Sequence, residues 1–325
     1  MRIKKRLIIL LILLISLIGL LLQQPEPTTV FIEQSRFVLL GVVGAIFANA
    51  TGAGGGVIFV PIFNQLNLAS TEIVATSFAI QCFGMVAGSI AWRDHYLKSK
   101  YANTHSHSIW TVLPKLLLLT VPYAIAGIWT VQYSPLHTWI SSAEDSLHWV
   151  FGSFSIFLAC AIFASLSRLK AKEHAQKITT FDCIALAVTA YIGGLITAWL
   201  SVGVGELVAV YLILRRYSVT LSIAVAVMLS ALSVWGGVLY YVVSDVVSGA
   251  FFDVLVLGDA HHSLFDLFTG NSMIIYPIAC FAGIGAIIGG SVAKYIVLWL
   301  NPYQVKVFFA GWVMLMGIVN MPIFS

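Results

Sequence analysis

In the stretch Asn49-Ala50-Thr51-Gly52-Ala53-Gly54-Gly55-Gly56, four glycines and two polar side chains interrupt an apolar run that resumes at Val57 and reaches Pro61. Glycine takes positive φ at little cost and lets a ligand approach the backbone. The composition therefore predicts a helix that unwinds here and restarts over Val57–Phe63. A restarted helix exposes unpaired N–H groups and the positive end of its dipole, equivalent to about half an elementary charge. Such an end binds an anion without any cationic side chain. Gly52, Gly54, Gly55 and Gly56 would supply backbone amides, and Asn49, Thr51 and, on the next helix, Thr76 and Ser77 would add neutral donors. The competing reading is that the glycines only let helices pack closely, as small residues do in membranes.

A weaker counterpart follows in Ser201-Val202-Gly203-Val204-Gly205-Glu206-Leu207, where Ser201, Gly203 and Gly205 are the candidate binding residues. Glu206 is an ionisable group deep in an apolar run, which is costly and by default suggests function. Two roles stay open for it. It is either a coupling residue, losing its charge when an anion binds nearby, or a cap at the start of its own half-helix. Gln81, Ser230, Ser233 and Tyr240 lie on the helices after the breaks, lining a path or making interhelical hydrogen bonds.

Other chemistry is not supported. His105, His107, His261 and His262, with Asp259 and Asp266, lack the spacing of a metal centre. Cys82, Cys160, Cys183 and Cys280 lie in or at the ends of apolar runs without metal-ligand spacing, and read as small core residues. No Ser-His-Asp set, paired carboxylates or P-loop occurs, so no enzyme, metal or cofactor is expected. The expected partners are a small anionic substrate and the lipid bilayer, not nucleic acid; a homo-oligomer is left open.

The elements that must position these residues are membrane helices. Of 325 residues, 60% are hydrophobic and 9% charged, and the apolar runs are long enough to cross a hydrocarbon core of ~30 Å at ~20 residues each. The expected class is an all-α polytopic membrane protein. Residues 1–36 read as a signal-anchor helix, basic at Arg2, Lys4, Lys5 and Arg6, with a linker carrying Pro25 and Pro27. After it come Phe37–Leu66, containing the first break, Thr71–Trp92, Ile109–Val131, Leu147–Leu166, Cys183–Leu214, containing the second, Val219–Val243, Met273–Leu298 and Tyr303–Met321.

Basic residues cluster in Arg93–Ser108, in Arg168–Asp182 and at Arg215 and Arg216, whereas Gln132–Asp145 and Ser244–Ser272 hold none. All the basic clusters fall on the cytoplasmic side if the two broken runs are re-entrant hairpins. The halves then run in opposite senses, as in inverted-repeat transporters. An ungapped offset of 151 sets Gly52 and Gly54 on Gly203 and Gly205, and Val74-Ala75 on Val225-Ala226. Residues 37–168 are read as the first repeat, 169–180 as a cytoplasmic linker and 181–325 as the second repeat, each repeat a broken or re-entrant hairpin followed by three transmembrane helices.

Gly52-Ala53-Gly54-Gly55-Gly56 with Val60-Pro61 and Ala75-Thr76-Ser77 resembles the first-half signature of the sulfite exporter TauE/SafE family, and Gly203-Val204-Gly205-Glu206 resembles its second-half counterpart. The resemblance runs from Phe37 to the C-terminus. It implies a multi-pass permease of the bacterial cytoplasmic (inner) membrane, working as an exporter of sulfur-containing anions such as sulfite or organosulfonates. The second half departs from the pattern, with Glu206 and Leu207 where many members keep glycine, and Val227-Met228 where the first half has Thr76-Ser77. A carboxylate there repels an anion unless it is protonated. The alternatives are an anion uptake permease or channel, and a non-transporting membrane assembly protein.

Overall fold

The computed structural model describes residues 15, 27–66, 68–101, 110–136, 144–166, 178–247, 272–300, 302–319 and 321. The rest of the expected N-terminal anchor, His105, His107, His261, His262, Asp259 and Asp266 lie outside the described residues. Within them the chain forms helices and no strands. They are α1 (Pro27–Thr51), α2 (Gly56–Asn64), α3 (Ser70–Tyr101), α4 (Leu113–Gln132) and α5 (Glu144–Leu166), then α6 (Thr180–Leu200), α7 (Val204–Leu214), α8 (Val219–Val247), α9 (Tyr276–Trp299) and α10 (Pro302–Val319). Proline opens several of them, since its missing N–H is unpaired in a first turn anyway. This explains one shift from expectation: the first helix begins at Pro27, inside the stretch read as linker, and its early turns reach α9 through the rings of Phe31 and Phe281.

Among the described residues six segments are long and apolar enough to cross a membrane: Phe31–Thr51, Ser70–Lys98, Leu113–Gln132, Thr180–Leu200, Val219–Ser244 and Tyr276–Trp299. The protein is a polytopic, all-helical membrane protein. Its outer faces carry exposed Leu118, Phe157, Phe181, Trp299 and Phe308, which suits contact with lipid rather than water.

Packing follows the same scheme in both halves. Helix α1 packs on α9 as α6 packs on α4, α3 meets α9 as α8 meets α4, and α3 pairs with α8 and α5 with α10. Small residues permit the closest approaches. A Cβ at Gly41 would strike the Ala282 carbonyl, one at Gly285 the Val38 carbonyl and one at Gly194 the Ala124 carbonyl. Without a hydrophobic drive between helices in lipid, such contacts supply the association energy.

Each broken run is a helical hairpin with one long and one short arm. In the first, the rings of Phe37 on α1 and Phe63 on α2 meet edge to face with centroids 6.2 Å apart. In the second, Asp182 at the start of α6 pairs with Arg215 just past α7, at 2.6 Å from Nε to Oδ1 and 3.0 Å from Nη2 to Oδ2. Tyr211 donates to Asp182 Oδ1 at 2.8 Å, and the Thr179 hydroxyl and amide donate to Oδ2 at 2.7 and 3.0 Å. This hydrogen bonding by Asp182 raises the Arg215 pKa further above its ordinary value, so the clamp stays charged. The chain therefore enters and leaves the second hairpin at one end, whereas α1 of the first extends ten residues before Phe37. At ~1.5 Å per residue the arms of the second measure roughly 30 and 16 Å.

Asp182 is buried while the Arg215 side chain is 37% exposed. Replacing either partner strands the other, so Asp182→Asn and Arg215→Gln should each destabilise the detergent-solubilised protein by ~1–3 kcal/mol. The double variant should lose less than the sum, which thermal-shift measurements on the three proteins would read directly.

Candidate functional site

The two breaks lie against each other at the centre of the bundle. Helix α1 ends where Gly52 turns left-handed, φ 80°, and its N–H still reaches the Ala48 carbonyl at 3.0 Å. Helix α6 ends at Ser201, φ 58°, followed by Gly203 at φ 142°, a value that only glycine adopts without strain. A Cβ on Gly56 would come within 2.5 Å of the Ser201 carbonyl oxygen; one on Gly205 would strike the Gly52 carbonyl and lie 2.5 Å from Ser230 Oγ. The first turn of each short helix is thus pressed on the carbonyls of the opposite break. Close packing and backbone conformation both require glycine here, so the two sequence readings are not exclusive.

Open amides at the two breaks find side-chain acceptors from elsewhere. Glu206, in the first turn of α7, accepts from Gly54 N through Oε1 at 2.7 Å and from Gly203 N through Oε2 at 2.9 Å. One carboxylate thereby holds both breaks. Gln81 of α3 accepts from Gly55 N at 2.9 Å and donates through Nε2 to the Ser201 carbonyl at 3.1 Å and to Ser201 Oγ at 2.7 Å. Ser201 Oγ donates to Ser77 Oγ at 2.9 Å. Thr197 Oγ1 accepts from Val204 N at 2.9 Å. Every one of these groups is buried.

The residues singled out from sequence separate into two groups. Gly52, Gly54, Gly55, Gly56, Ser77, Ser201, Gly203, Gly205 and Glu206 come together at the crossing. Thr51, Asn49 and Thr76 are turned to other bonds. Thr51 Oγ1 donates to the Phe47 carbonyl at 2.8 Å and accepts from Ala53 N at 3.2 Å, which shapes the first turn. Asn49 Nδ2 donates to the Ala45 and Gly84 carbonyls at 2.8 and 3.2 Å, between α1 and α3. Thr76 Oγ1 accepts from Ile275 N at 2.9 Å, tying α3 to the start of α9.

Sequence reasoning missed Thr197 and Lys306. Thr197 carries no signal, being an ordinary polar residue in the last turn of a helix. Lys306 does carry one: it is a lone cation entering the run Tyr303–Met321, subject to the argument applied to Glu206. It is buried on α10, and its charge and that of Glu206 act on each other. Among the described residues there is no cluster of His, Cys, Asp or Glu able to hold a metal.

The chain matches the family model described as Sulfite exporter TauE/SafE over residues 37–320. No curated protein and no solved structure matches it.

The reciprocal contacts predict which glycines tolerate a side chain. Gly56→Ala and Gly205→Ala force the breaks apart and should cost ~1–3 kcal/mol as overpacked sites do, with less folded protein recovered on size-exclusion chromatography. Gly311→Ala, where a Cβ meets nothing within 4 Å, should leave recovery and melting temperature unchanged or slightly improved.

Proposed function

This chain belongs to the sulfite exporter TauE/SafE family of membrane transporters for sulfur-containing anions, and on that premise we propose that it exports a small anion such as sulfite or an organosulfonate through a site at the crossed breaks. The observation that carries this reading is the convergence of backbone amides. Gly54 N, Gly55 N and Gly203 N come from two separate hairpins, and their present partners are oxygen acceptors, two of them oxygens of one carboxylate. A pair of N–H groups spaced for the two oxygens of a carboxylate also suits two oxygens of a sulfite or sulfonate. The dipoles of α2 and α7, both beginning at the crossing, add to the attraction.

In this reading the glycines and Ser201 and Ser77 form the substrate path, with Asn49, Thr51 and Thr76 supporting its walls. The matched packing of the halves supports an inverted repeat, residues 37–168 against 181–325, whose interface near the bilayer midplane holds the substrate. Alternating access then consists of one half moving against the other about the α3–α8 contact. The membrane is the bacterial inner membrane, with the basic loops cytoplasmic.

Purified protein in proteoliposomes should release sulfite, thiosulfate or sulfoacetate with saturable kinetics and leave chloride behind. Flux of none of the sulfur anions, from correctly inserted protein, would overturn the reading. Topology has its own check. Single cysteines at Asn103 and Gln176 should react with impermeant reagent only from the cytoplasm, and those at Ser141 and Ser248 only from outside. Labelling of Asn103 and Ser141 from one side would remove the inverted repeat.

A further inference from the structure

Glu206 occupies the very amides that a transported anion needs. Its two oxygens take one N–H from each break, at 2.7 and 2.9 Å, and it is 2% exposed. A second feature points to a ligand at the same spot. Ser230 of α8 is 2% exposed, its hydroxyl has no hydrogen-bond partner, and it lies against Gly205 in the first turn of α7, beside Glu206. A buried hydroxyl left unpaired costs about 1–3 kcal/mol, and an oxygen-rich anion at the α7 N-terminus would satisfy it.

We propose that the Glu206 carboxylate is a tethered internal anion, which the transported anion must displace from Gly54 N and Gly203 N, taking up one proton onto Glu206 as it binds. The inference rests on the anion-transport reading above and adds its coupling. Two anions cannot share one pair of donors, and like charges within a few ångströms disfavour each other's ionised state. The proton comes from water and forms the O–H bond of the neutral acid, and it returns to water when the anion leaves. With the carboxyl neutral and turned aside, Gly54 N, Gly203 N and Ser230 Oγ face the incoming oxygens.

Two buried ionisable groups act on each other at the crossing, Glu206 and Lys306. Lys306 of α10 is the charged group that acts on it, and as a cation it favours an anion at the crossing whether that anion is Glu206 or the substrate. From α3 the facing groups are Gln81 and Ser77, with the buried Cys82 thiol beside Gln81; from α6 they are Ser201 and Thr197, and from α8 Ser230. Asp182, Arg215 and Tyr211 are bound to one another at the far end of α7. On α5, Cys160 is exposed.

The test uses methanesulfonate and sulfoacetate, whose own charges stay constant over the range, with the full-length protein in detergent. In the alkaline part of about pH 5–9, binding either to the parent in weakly buffered solution containing a pH indicator should take up about one proton per anion, and over that same part the apparent Kd should rise about tenfold per pH unit. Glu206→Gln, which matches the neutral acid in shape, should bind the anion with no proton uptake and a Kd that does not vary with pH. Binding to the parent without proton uptake, or an unchanged pH slope in Glu206→Gln, would overturn the tethered-anion proposal while leaving an anion transporter. Lys306→Gln, which removes the other buried ionisable group, should keep the uptake of about one proton per anion, and its loss there would overturn the proposal even if Glu206→Gln does not fold. Absence of binding to the parent at any pH would overturn the transport reading and this inference together.

Discussion

A backbone amide that leaves a helix inside an apolar bundle has no water to turn to, and an unpaired one costs several kcal/mol. Gly54, Gly55, Gly203 and Val204 all present such amides, and none of these four is answered by a backbone carbonyl; each is bound by a side chain. Glu206 answers the first and third, Gln81 the second and Thr197 the fourth. Only Thr197 and Glu206 belong to the hairpin they serve, and Glu206 serves the other one as well. The first break therefore depends on the second for the acceptor of Gly54 N, while the second takes from Gln81 a donor to its Ser201 carbonyl. The polar crossing thus holds the halves together as well as forming the candidate anion site.

That dependence accounts for how the surrounding helices are built. Close glycine contacts hold α1 to α9 and α4 to α6, so the hairpins sit in fixed positions against the helices of the opposite half. The hairpin bases are closed by different means, two phenylalanine rings in one and a bidentate ion pair in the other. The ring contact needs no polar partner, whereas the ion pair requires Tyr211 and Thr179 to complete the carboxylate's bonds. Both devices hold the ends of a short arm, which leaves its N-terminus at the crossing.

The halves are not chemically equivalent at the crossing. At the offset of 151, Gly55 corresponds to Glu206 and Gln81 to Leu232. In the first half a neutral amide on α3 binds the break from outside. In the second, the equivalent helix offers an apolar residue, and the acceptor comes instead from α7 as a carboxylate. The crossing thereby carries one acidic group, placed where both sets of amides can reach it, with Lys306 supplying the opposing charge.

Much of this was legible in the amino-acid sequence. Hydropathy shows where helices can cross, because a span needs a minimum length of apolar side chains. The glycine clusters show where helices break, because only glycine turns back at low cost in such a stretch. The isolation of Glu206 in an apolar run is likewise a local property, readable without coordinates. Which donors meet at the crossing was decided only by the tertiary structure. Asn49, Thr51, Thr76 and Ser77 look alike as polar residues near a break, yet three of them bond within α1 and its turn or to α3 and the start of α9, and Ser77 alone faces Ser201. Lys306 and Thr197 approach the site from residues distant along the chain or unremarkable in type. Side-chain bonding partners depend on how helices are rotated against one another, and that rotation is set by the packing of the whole bundle, which no single stretch encodes.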